Sequence, residues 1–124
     1  MIIPKRVETD VLAASQMPVV RYMSIGDLGR SCRSLKEHAT YAEAVNLAAI
    51  SIQFAVRFTS AKHAEILGEA LDVAKRRPAR PIAEAHRLTI DAHWPGDRYS
   101  TAVELAASAL QLAATFPQSS EATP

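Results

Sequence analysis

Four histidines and one cysteine are the residues best suited to chemistry, and their spacing decides what they can do. His38, His63, His86 and His93 contain no i,i+4 pair and no H-E-x-x-H element, the arrangements by which one helix offers two imidazoles to a zinc ion. His86 and His93 fall on one expected helix, roughly 10 Å apart along its axis at 1.5 Å rise per residue. They would need a ligand from another element, so they read as solvated side chains, and no metal site is expected. Cys32 has Arg30 and Arg33 close by, and cations favour a thiolate. No histidine is placed by sequence to act as its base, so it reads as a buried structural thiol. There is no G-x-S-x-G element, phosphate loop or dinucleotide fingerprint, so neither catalysis nor a cofactor is expected.

Two clusters stand out. His93 and Trp94 lie beside Asp91 and just before Pro95-Gly96-Asp97. An enzyme built there would need a pocket at this expected turn; the simpler reading is that Trp94 anchors the turn. The run Lys75-Arg76-Arg77-Pro78-Ala79-Arg80 is the densest local charge and could meet phosphates or an acidic protein surface. No aromatic is interleaved with it for base stacking. The chain's net charge is only +1, from 14 basic and 13 acidic residues, whereas nucleic-acid binders usually carry a basic excess. Cations at a helix C-terminus explain the run as well. The expected partner-binding surface is Lys75, Arg76, Arg77, Arg80, His93, Trp94, Asp97 and Arg98.

These residues must be positioned by helices. A chain of 124 residues is one domain by length, expected to span 1–116 with a disordered tail over 117–124. A lone cysteine excludes an internal disulfide and suits a reducing compartment. The basic pair Lys5-Arg6 is followed by Glu8 and Asp10 rather than an apolar run, so no signal peptide is expected. The apolar stretch 44–56 is too short to span a bilayer. A soluble, cytoplasmic protein is expected. Abundant alanine, with 4 glycines and 6% aromatic residues, suits closely packed helices.

The pattern predicts an all-α bundle of about six helices. A short helix is expected over 7–16, stopped by Pro18, then an extended connector over 19–23. Ser24 and Asp27 suggest a cap for a helix over 25–35. Thr40 and Glu43 have capping-box spacing for a long helix over 41–58, whose polar stripe is Glu43, Asn46, Gln53 and Arg57. Thr59 or Ser60 is expected to cap a helix over 61–77, with Ala64, Leu67, Leu71 and Ala74 inward and Lys62, Glu65, Glu69, Asp72 and Lys75 outward. A helix over 82–94 follows Pro78 and Pro81. Pro95-Gly96-Asp97 is read as a turn, and a last helix over 101–116 carries the stripe Glu104, Ser108, Gln111 and Thr115.

A shift of 41 residues places Ala42-Glu43-Ala44 on Ala83-Glu84-Ala85, and Arg57-Phe58-Thr59-Ser60-Ala61 on Arg98-Tyr99-Ser100-Thr101-Ala102. This suggests two HEAT-like hairpins, 41–77 and 82–116, with N-terminal helices packed on them. The two narrow polar stripes are the main functional signal. A surface helix needs a wide wet face, and only one helix of a small bundle can sit at its centre. The expectation is a non-enzymatic protein–protein interaction module, a homodimer or a subunit of a bacterial complex, with no small-molecule substrate. A bacterial immunity or antitoxin-type protein that neutralises a partner is one alternative. A nucleic-acid-associated regulator using the basic run 75–80 is another.

Overall fold

The computed structural model describes residues 2–17, 40–76, 78 and 95–116, with 95–97 as backbone only. The described residues form four helices and no strand. These are α1 (Lys5–Ser15), α2 (Tyr41–Val56), α3 (His63–Arg76) and α4 (Pro95–Ala114). The protein is all-helical in this part. The expected connector 19–23, the helices over 25–35 and 82–94, and the tail 117–124 lie outside the described residues, so the bundle of six is not reproduced as such.

α1 begins two residues before its expected start. Pro4 precedes it, with no side-chain cap, and the Pro4 carbonyl accepts from Val7 N at 3.0 Å. Val7, Val11 and Ser15 are buried, four residues apart and therefore on one stripe. α2 starts where the capping box predicts. Thr40 Oγ1 accepts from Glu43 N at 3.2 Å, and Glu43 Oε1 accepts from Thr40 N at 3.1 Å.

The start of α3 differs from expectation. Thr59 Oγ1 accepts from Ala61 N at 3.2 Å and closes a turn ahead of the helix. Glu65 Oε1 accepts from Lys62 N at 3.0 Å, so Glu65 reaches back over the first turn, as the acid of a capping box does. The buried face is Ile66, Leu67, Ala70, Leu71 and Ala74. Ala64 is exposed rather than buried, because it lies in the first turn at the edge of that arc.

α4 differs most. Pro95, Gly96 and Asp97 are its first turn, not a turn between helices. Proline is tolerated at the first helical position, where its missing N–H would have had no partner. The helix therefore starts six residues before the expected 101. This also separates the two segments of the 41-residue match. Residues 57–62 break the chain between α2 and α3, whereas 98–102 lie within one continuous helix. The first helix of the expected second HEAT-like hairpin, 82–94, lies outside the described residues, so that hairpin is not reproduced.

Side-chain contacts fix the helix directions. Asp10 of α1 meets Tyr41 at the start of α2, and Ser15 and Met17 meet Gln53 near its end. α1 and α2 are therefore parallel. Glu69 meets Tyr99, and Ala74 meets Gln111, so α3 and α4 are parallel too. Tyr41 packs edge-on against Phe116, ring centroids 6.3 Å apart, which sets α2 antiparallel to α4.

The most extensive contact is α2 against α4. Both helices bury small residues at one spacing: Ala44, Ala48, Ser51 and Ala55 on α2, and Ala102, Ala106, Ala109 and Ala113 on α4. Small side chains let helix axes approach. Leu47, Ile52, Ile66, Leu105 and Leu110 fill the remaining core, each worth about 1.5–3 kcal/mol of buried apolar surface. Ser51 Oγ donates to the Leu47 carbonyl at 2.7 Å, so its buried hydroxyl is satisfied. Among the described residues, no helix is long and apolar enough to cross a membrane.

Candidate functional site

The expected surface separates into three parts. Arg77, Arg80, His93 and Trp94 lie outside the described residues, as do Cys32, His38, His86 and Asp91. For Asp97 only the backbone is described. Lys75, Arg76 and Arg98 are in view, and they do not form one site. Ala74 is level with Gln111 and Glu69 with Tyr99. Lys75 and Arg76 thus stand about two helical turns from Arg98, roughly 10 Å along α3 at 1.5 Å per residue.

The described part of the basic run is electrostatically mixed. Lys75 and Arg76 are exposed in the last turn of α3. Arg76 Nε donates to the Asp72 carbonyl of its own helix at 3.0 Å. Helical spacing puts Arg76 on the same face as Glu65, Glu69 and Asp72, all exposed. Three carboxylates on that face offset its attraction for phosphate. Among the described residues, no group of three or more histidine, cysteine, aspartate or glutamate side chains could hold a metal ion.

The polar stripe of α4 is not a wet stripe. Ser108 and Gln111 are each 1% exposed. Gln111 Nε2 donates to the Ala74 carbonyl at 3.0 Å and, at 3.4 Å, to that of Pro78. The last carbonyls of a helix have no partner within it, so Gln111 completes the end of α3 from a neighbouring helix. From Thr101 to Ala113 every residue is buried except Glu104 and Leu112, which are half-buried. α4 is the central helix, and the chain itself covers the apolar surface that had suggested a partner there. The stripe of α2 remains narrow and open: Asn46 and Arg57 are exposed, Glu43 and Gln53 half-buried.

Tyr99 is a residue for which sequence spacing held no functional signal. Its hydroxyl donates to Glu69 Oε2 at 2.6 Å. Burial, the hydrogen bond to the carboxylate and that carboxylate's charge push its pKa up to about 12. The pair ties α3 to α4 and offers no nucleophile at neutral pH.

Arg98 is the outlier. It sits in the first turn of α4 and is half-buried. Its Nε is closed to solvent, and among the described residues it has no hydrogen-bond partner. The helix directions put the C-terminal ends of α1 and α2 at this same end of the bundle, where Met17 is 65% exposed and Phe58 37%. Phe58 leans on Phe54, centroids 5.1 Å apart, and the Arg57 guanidinium lies 4.8 Å from the centre of the Phe54 ring. No protein-family model, curated protein or solved structure matches the chain.

Proposed function

We propose that this chain is a non-enzymatic helical protein–protein interaction module of the bacterial cytoplasm, acting as a homodimer or as a subunit of a complex. The state of Arg98 supports the reading best. A guanidinium offers five donors and accepts nothing. Leaving one of them shut off from water without an acceptor costs about 1–3 kcal/mol. The first turn of a helix is also the wrong end for a cation, because the dipole there is positive. Proteins keep such local violations chiefly where function requires them. If the half-buried side chain turns outward, a carboxylate from a second chain would supply acceptors to Nε in the forked geometry arginine prefers, and arginine is over-represented among the residues that dominate interface energies.

The surplus of apolar surface is a weaker support than the sequence suggests. The stripe of α4 is buried within the chain, and every apolar residue of α2 except Ala42 is buried or half-buried as well. Isolated exposed side chains such as Met17 and Phe58 are ordinary in monomers. Size-exclusion chromatography with light scattering on the full chain tests the homodimer. A mass of two chains supports it, and a monomer at every concentration, with no uptake of an apolar dye, counts against it.

A further inference from the structure

We draw no further inference here: the strongest candidate, the end of the bundle where Met17 is exposed and Phe58 is exposed against the Phe54 ring, carries nothing because nothing in the structure shows what covers it.

Discussion

The side-chain amide of Gln111 donates to the backbone carbonyl of Ala74 across the α3–α4 contact, at 3.0 Å and on a face closed to solvent. Replacing Gln111 by leucine keeps much of the volume but leaves that carbonyl unsatisfied. A buried polar group without its partner costs about 1–3 kcal/mol. Chemical denaturation of Gln111→Leu is therefore expected to show a loss in that range. A variant as stable as the parent would show that the carbonyl finds another donor.

Gln53 plays the matching part for α1. Its Nε2 donates to Met17 O at 2.7 Å and to Ser15 O at 3.1 Å. Both carbonyls lie at or just beyond the C-terminal end of α1. Gln53→Ala removes both bonds at a partly solvated site, so the global cost should be small, about 1 kcal/mol. Amide exchange should quicken in α1 more than in α2 or α4, because local opening follows the loss of local contacts. Uniform quickening across all helices would contradict the assignment.

Tyr99 makes a pH-dependent contribution whose sign follows from its raised pKa. The folded state holds the phenol near 12 against an ordinary 10.0, through burial, the bond to Glu69 and the charge of Glu69. Protonated Tyr99 is thus favoured by folding. Its contribution is fully present below about 10 and is lost as pH rises through about 12. Following tyrosinate absorbance should show one tyrosine titrating near 12, absent in Tyr99→Phe. If the variant's titration matches the parent's, Tyr99 is not that group.

Gly68 offers a gain rather than a loss. It lies inside α3, and a Cβ added there meets nothing within 4 Å. Its φ is not positive, so alanine fits the backbone. Glycine in a helix interior costs about 0.8–1.0 kcal/mol relative to alanine. Gly68→Ala should raise the denaturation midpoint by a corresponding amount; a lowered midpoint would mean that the site is closed in a way the α3 surface does not indicate.

The sequence made some elements legible and hid others for physical reasons. α2 was readable because its start depends on two residues three apart, Thr40 and Glu43, which satisfy each other locally. The start of α4 was not. Pro-Gly-Asp suits a turn and also suits the first turn of a helix, and only packing elsewhere in the fold chooses between them. Gln111 misled for a similar reason: polar side chains at helical spacing look solvated until a neighbouring helix brings an unsatisfied carbonyl to one of them. The candidate site shows the same limit. The sequence marks Arg98 as an interface residue, but that its Nε has no hydrogen-bond partner among the described residues is a tertiary property, and Lys75 and Arg76 lie at another level of the bundle.

The proposed association places Arg98 against a second chain. The most direct test compares the self-association constant of the parent with that of Arg98→Met, by light scattering across a concentration series, each variant's melting temperature being recorded alongside. Methionine keeps the apolar stem and removes the unsatisfied nitrogen, so the melting temperature of the dissociated chain should hold or rise. The dimer should weaken at least tenfold. A dimer of unchanged affinity, or an isolated chain that melts lower because Arg98 was satisfied within it, would contradict the account.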